Sequence, residues 1–297
     1  MTEELRDCAA ARARMSTAGG SDVVIFRENP VFSYFSGDER ADSVLLHDDK
    51  IFLVGPKEIE ERFHTLDEME YCIAPPYFEF RSGKECSPSD IKWFSFPLSG
   101  EIKFLISQKK RMGEVIEAVI SELGKESTER SVAQSLKDRL CSAGFPLYYE
   151  PIIGFDENTL KVWNLPGENN LERIMYVEAA AKVKGLTVIY SNSFLVSSGD
   201  EYLDAYRESI KGVEAIKSNF VEGKTVKDVL NAMEGYRGEN LYLTVPLFPF
   251  GYHAIPGPDD VIRTGEAAVF DIWVRKEEFA FRRKVAAVSG SYRARII

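Results

Sequence analysis

From residue 109 onward the hydrophobic pattern swings between helical and strand periods, and the order of those swings restricts the chain more than any other feature. Met112, Val115, Ile116, Ala118, Val119, Ile120 and Leu123 share one face at helical spacing until Gly124 ends the run. Ser127 then reads as an N-cap for a second helix marked by Val132, Leu136, Leu140 and Cys141 and closed by Ala143-Gly144. Strands follow in PIIGF, IMYVEAAAKV and LTVIYSNSFLV. Ser198-Gly199-Asp200-Glu201 has the form of a capping box opening a long helix to about Phe220, and Thr225 with Asp228 opens another. The last sixty residues or so return to strands. Helix pair, sheet, helix pair, sheet is an α+β arrangement, and no internal repeat is legible in it.

The first third has a different texture. DVVIF (22–26), SVLLH (43–47) and KIFLVG (50–55) are apolar strands, the last two joined as a hairpin across Asp48-Asp49. The run EIKFLIS (101–107) also reads as a strand, which puts a domain boundary near residue 108. A length of 297 residues suits two domains, an α/β domain over 1–108 and an α+β domain over 109–297.

Composition removes several classes of function. A formal charge of -10 argues against a protein built to grip a nucleic-acid backbone, which needs clustered Lys and Arg. Arg275, Lys276, Arg282, Arg283, Lys284, Arg293 and Arg295 are interrupted by apolar and acidic residues and read as a solvated strand face. Cys8, Cys72, Cys86 and Cys141 lie far apart without a CxxC pair, as buried free thiols would. The first fifteen residues lack a signal-peptide apolar core and no run of eighteen apolar residues occurs, so a cytoplasmic protein with no membrane partner is expected.

Several words in the second half resemble the pita-bread family of creatinase, prolidase, Xaa-Pro aminopeptidase and methionine aminopeptidase. ESTERSVAQSLKDRLCSAG (126–144) is similar to the family's GxTExElAxxLxxxLxxxG, and FDENTLKVWNLP (155–166) to FGxNxxxPHYxP. MYVEAAAKVKGLTVIYSNSF (175–194) resembles xxxDxGxxxxGYxxDxTRTF, FVEGKTVKDV (220–229) resembles IKPGxTxxDV, and IRTGEAAVFDI (262–272) resembles LxxGMVFTIEP. Upstream, DVVIFRENPVFSYFSG (22–37) is similar to DxLLVxxxxNxxYLTG. The resemblance implies a pita-bread domain preceded by a creatinase-type α/β domain.

It also implies a place for two metal ions, Mn, Co or Zn in active relatives, held by two Asp, one His and two Glu. Divalent ions so close together need bridging carboxylates and imidazole to replace their water. Here the first Asp position holds Glu178 and the second holds Ile189, which has no donor. The first Glu position holds Asp271 and the last holds Lys284. The family's substrate-side histidine falls on Trp163, expected to pack into the core with Tyr190 and Phe194. His253 fits the family's later substrate-contacting histidine and is the one candidate catalytic residue; the other histidines, His47 and His64, lie in the first domain. The ligand set is degenerate, so no metal cofactor is expected, and Lys284 is a candidate partner for Glu178 or Asp271. The function implied is that of a non-hydrolytic relative, a homodimer with a peptide- or protein-binding cleft. The alternative is an Xaa-Pro aminopeptidase or dipeptidase with an atypical site built from Glu178, Asp271 and His253.

Overall fold

A computed structural model describes residues 98–124, 126–161, 163–196, 199–236 and 259–297; before them it describes Cys8 and the strand backbones of the first domain. Five strands, β1 (Val23–Phe26), β2 (Ser43–His47), β3 (Lys50–Val54), β4 (Tyr71–Ile73) and β5 (Lys84–Glu85), form a sheet in the order β4-β3-β2-β1-β5. β2 and β3 pair antiparallel with His47 opposite Lys50, the hairpin expected there, although Asp48 and Asp49 lie outside the described residues. The outer strands β4 and β5 pair parallel to β3 and β1, as in an α/β layer. Val44 and Leu46 are fully buried and join the core of the second domain.

That core begins on helix α1 (Ser99–Ser121), which contains 101–107 and so corrects the strand expected at EIKFLIS. The Ile, Phe and Leu of that run favour a strand locally, but Leu105 continues the buried stripe of Met112, Ile116 and Val119 at helical spacing, and packing overrides propensity. Glu101 Oε2 accepts the Leu98 N–H at 2.7 Å and starts the helix. Residue 108 lies inside α1. Helix α2 (Glu129–Ser142) is capped by Thr128 and not Ser127: Thr128 Oγ1 accepts the Ser131 N–H at 3.2 Å while Ser131 Oγ accepts that of Thr128 at 3.0 Å. The Ser127 hydroxyl instead accepts the Gly124 N–H, closing the turn between the helices.

Strands β6 (Ile152–Phe155), β7 (Ile174–Val183) and β8 (Leu186–Leu195) form an antiparallel sheet packed against α1 and α2. Lys184 and Gly185 between β7 and β8 both have positive φ, 52° and 78°, the backbone that a two-residue hairpin needs to match strand twist. Helix α3 (Asp200–Asn219) starts from Gly199, which supplies no side-chain cap; Ser198, the first residue of the capping box expected there, lies outside the described residues. Helix α4 (Val226–Ala232) has the expected reciprocal cap of Thr225 with Asp228, at 3.2 and 2.8 Å. Strands β9 (Ala267–Arg275), β10 (Ala280–Val288) and β11 (Arg295–Ile296) complete a second three-stranded sheet, whose core is shared with α3 and α4.

Each half of 98–297 is thus a long helix, a shorter helix and a long antiparallel hairpin, β7-β8 in one and β9-β10 in the other. This repeat of architecture is invisible in the sequence because a core asks only for apolar residues at the right period. Chemistry enters where the two hairpins meet, with β8 alongside β10.

Candidate functional site

The meeting of β8 and β10 is set by two serines. Ser193 Oγ accepts the Arg282 N–H at 2.8 Å and donates to the Arg282 carbonyl at 3.0 Å; Ser191 Oγ accepts the Lys284 N–H at 3.1 Å. Residues two apart on a strand share a face, so Tyr176, Glu178 and Ala180 line one side of β7, with Ser193, Ser191 and Ile189 opposite them on β8. On the other hairpin Asp271 faces Lys284, and Trp273 faces Arg282. The register brings the family positions 178, 271 and 284 into one buried space.

Lys284 fills its centre. Its Nζ lies 2.5 Å from Glu178 Oε1, and the Glu178 carboxylate is 1 % exposed at the side chain against 21 % for the lysine. The Tyr149 hydroxyl donates to Glu178 Oε1 and the Tyr176 hydroxyl to Oε2. Burial pushes the Glu178 carboxyl up, but the Lys284 ammonium and the hydrogen bonds from Lys284, Tyr149 and Tyr176 outweigh it and hold the group below its ordinary value. Both phenols are pushed up, by burial first and the Glu178 charge second, and stay protonated donors.

Asp271 has the second cation. Arg282 is 2 % exposed, with its guanidinium between the rings of Tyr176 and Trp273 at 4.0 and 3.6 Å from their centroids. Nη2 lies 4.0 Å from Asp271 Oδ2, and Nη1 donates to the Lys161 carbonyl at 2.7 Å. Burial raises the Asp271 carboxyl to about 6 against the pull of Lys284 and Arg282, and its Oδ1 has no hydrogen-bond partner. The basic run in β10 is therefore not the solvated face expected of it: Arg282 is interior, Lys284 mostly so, and Arg283, on the opposite face, covers the rings of Tyr206 and Phe281.

The remaining positions depart further from a metal centre. Ile189 lines a small apolar pocket with Val269 and Ala286 of the second hairpin. Trp163 does not fill the core as expected: it is 67 % exposed, edge-on to Tyr149 with ring centroids 6.0 Å apart. Tyr190 and Phe194 are partly buried against the first core. Trp163 is outside because its segment is tied down from beneath. The fully buried Glu129 accepts from Phe155 N–H and Asn158 Nδ2 through Oε1, both at 2.8 Å, and from Gly167 N–H at 2.9 Å and Asn164 Nδ2 at 3.1 Å through Oε2. Asp156, at φ 48°, stands where the family word has glycine; its carboxylate accepts the N–H groups of Glu172, Arg173 and Ile174 at 3.0 to 3.1 Å.

Sequence reading anticipated Glu178, Asp271 and Lys284 but missed Arg282, Tyr149, Tyr176 and Glu129. Only Glu129, inside the TE word of the resemblance, carried a signal. His253 and His64 lie outside the described residues, as does the side chain of His47. Cys8 is buried as expected, whereas Cys141 is an exposed free thiol.

Two divalent ions do not fit these donors. Of the positions that the resemblance assigns to metal, one holds isoleucine and another an ammonium, and both oxygens of Glu178 are already bonded to protein donors. Among the described residues no three His, Cys, Asp or Glu side chains are grouped so as to hold a metal ion.

Residues 109–252 match the family model described as Metallopeptidase family M24. That match falls just short of half the chain. The X-Pro aminopeptidase of Thermotoga maritima is similar over 93 % of this chain and 94 % of its own, with a TM-score of 0.73 at 12 % identity. The Xaa-Pro dipeptidase of Bacillus anthracis overlaps 98 % of this chain and 97 % of its own (TM-score 0.71, 12 % identity), and the prolidase of Pyrococcus furiosus 96 % and 98 % (TM-score 0.69, 14 % identity). No curated protein sequence matches the chain. The matched segment thus sits in a chain with the pita-bread fold of Xaa-Pro peptidases, α+β in its second half and preceded by a creatinase-type α/β domain. No helix among the described residues is long and apolar enough to cross a membrane.

Proposed function

We propose that this protein is a non-hydrolytic relative of the Xaa-Pro peptidases, a cytoplasmic homodimer that binds a peptide or an extended segment of another protein without cleaving it. The observation that carries the reading is the Lys284–Glu178 ion pair, 2.5 Å long, at family metal positions. Peptide hydrolysis there calls for an activated water and an electrophile for the carbonyl. Lys284 supplies a fixed positive charge but no open coordination position, and Glu178, held ionised by the lysine and two phenols, is spent as a base.

What the surroundings do supply is surface for binding. Trp163, Tyr148 and Leu165 are exposed to 67, 43 and 91 %, and Tyr149 links this apolar lip to the ion cluster by touching Trp163 on one side and Glu178 on the other. Exposed aromatics beside buried polar groups are the usual make-up of a peptide-binding cleft.

The test is metal content of the purified protein by mass spectrometry, run with hydrolysis of Xaa-Pro dipeptides with and without added Mn²⁺ and Co²⁺. Absence of turnover under every condition, with peptide binding seen by calorimetry, is expected. Near-stoichiometric metal with turnover would restore an atypical peptidase built on Glu178, Asp271 and His253. A monomer by light scattering would remove the dimer from the reading.

A further inference from the structure

We infer that Lys284 and Arg282 together take the electrostatic place of a bound metal between the two hairpins, and that exchanging Lys284 for an acid converts this cluster into a site for an oxygen-seeking divalent cation such as Mn²⁺. The inference shares its ion pair with the functional reading above but does not depend on whether the protein binds or cleaves anything.

The argument is one of charge and reach. Glu178 and Asp271 are 1 % and 7 % exposed, on facing hairpins, and each raises the cost of ionising the other. Two buried carboxylates remain charged only beside compensating cations. β10 carries both compensating groups on one face, two residues apart: Lys284 against Glu178 at 2.5 Å and Arg282 against Asp271 at 4.0 Å. Two acids and two bases leave the cluster neutral with no ion added.

One acceptor is left over. Asp271 Oδ1 is buried, has no hydrogen-bond partner and belongs to the strand position directly across from Lys284. Replacing Lys284 by glutamate removes the ammonium and puts a third carboxylate on the same face of β10, opposite Asp271 and within reach of Glu178. Three carboxylates around one small space form an oxygen donor set that suits Mn²⁺, Mg²⁺ or Ca²⁺ better than a soft metal. A bound cation then neutralises the cluster in competition with protons, so at neutral pH folding of that variant becomes linked to metal.

The experiment is thermal unfolding of the full chain, in EDTA and in 1 mM Mn²⁺, for the native protein, Lys284→Glu and Lys284→Gln, with equilibrium dialysis to count bound Mn²⁺. The native melting temperature should be the same in both buffers. Lys284→Gln should melt several degrees lower and ignore Mn²⁺. Lys284→Glu should be the least stable in EDTA, regain several degrees in Mn²⁺ and bind about one ion per chain. A native protein that Mn²⁺ stabilises, a Lys284→Gln protein as stable as the native one, or a Lys284→Glu protein that Mn²⁺ neither folds nor stabilises would each overturn the inference. Turnover of an Xaa-Pro dipeptide by the native protein would sink the functional reading while leaving these melting results to stand or fall separately.

Discussion

Glu129 offers the sharpest test of how the site is built, because one carboxylate holds four donors from the segment that carries Trp163 and Lys161. Truncation to alanine orphans the N–H groups of Phe155 and Gly167 and the side-chain amides of Asn158 and Asn164. Asn164 keeps one bond, to the Ile153 carbonyl at 2.6 Å, and Gly167 is only half-buried and can turn to water. That leaves about two donors stranded in full, each costing roughly 1 to 3 kcal/mol, so Glu129→Ala should lose about 4 kcal/mol. For a domain of this size the melting temperature should fall by roughly 8 to 16 °C. Glu129→Gln retains a carbonyl acceptor but turns an amide toward former donors, and should lose about half as much. Differential scanning calorimetry reads both, and limited proteolysis should find new cuts within 156–167 in the alanine variant. A shift below about 2 °C for Glu129→Ala would show that water replaces the carboxylate and that the clamp does not hold the segment.

Further outcomes follow from individual contacts. The Asp271 carboxyl, raised from an ordinary 3.8 to about 6, binds its proton more tightly in the folded chain, so its contribution to stability declines as pH rises from about 4 to 6, by on the order of 3 kcal/mol; Asp271→Asn should flatten that part of a urea-denaturation series against pH. Glu178, held low, contributes in the opposite sense: its share is full above the unfolded carboxyl value and is lost on acidification, and Glu178→Gln should remove that acid-side loss. Gly154→Ala would bring a Cβ to 2.9 Å from the Asn158 carbonyl oxygen and 3.0 Å from its carbon, backbone atoms held by the Glu129 clamp, and should cost roughly 1 to 3 kcal/mol in chemical denaturation. Trp163→Ala should leave stability within about 0.5 kcal/mol, as suits a side chain two-thirds exposed; a larger loss would mean that the ring packs more than its exposure shows.

How far the sequence could be read depended on whether a signal was local. The β2–β3 hairpin, the Thr225 cap and the ten-residue strands β7 and β8 carry their instructions within a few residues. The start of α1 does not: IKFLI has strand composition, and burial of Leu105 in the first core, beside Val188 and Ile189 of β8, decides for helix. At the site, the resemblance placed Glu178, Asp271 and Lys284, and the lysine's opposite charge invited a pairing that the structure shows with Glu178. Arg282 was out of reach because a basic residue in an alternating strand looks the same whether it faces water or two aromatic rings. Tyr149 and Tyr176 were silent for a related reason, since a phenol gains its role only from a carboxylate brought to it by the fold. Trp163 was assigned to the core by its residue type, yet the bonds that set its place belong to Glu129, thirty-four positions earlier.

The serine-built seam between β8 and β10 has a mechanical consequence. Among the described residues the other long strand contacts of the second domain are ladders whose rungs break together, but the polar ties of this line are two hydroxyls, the Lys284 ammonium and the Arg282 guanidinium on the Tyr176 ring. If that line parts, each half keeps its own ladder and its own apolar cluster, and the packing given up is the smaller cluster in which Ile174 meets Tyr202, Ala205, Val274, Phe279 and Phe281. The least costly large opening of the molecule therefore runs along it, and in hydrogen exchange the amides of Arg282 and Lys284 should report that opening before the β7–β8 ladder yields. The seam behaves as a perforation in the sheet, where the two halves come apart whole.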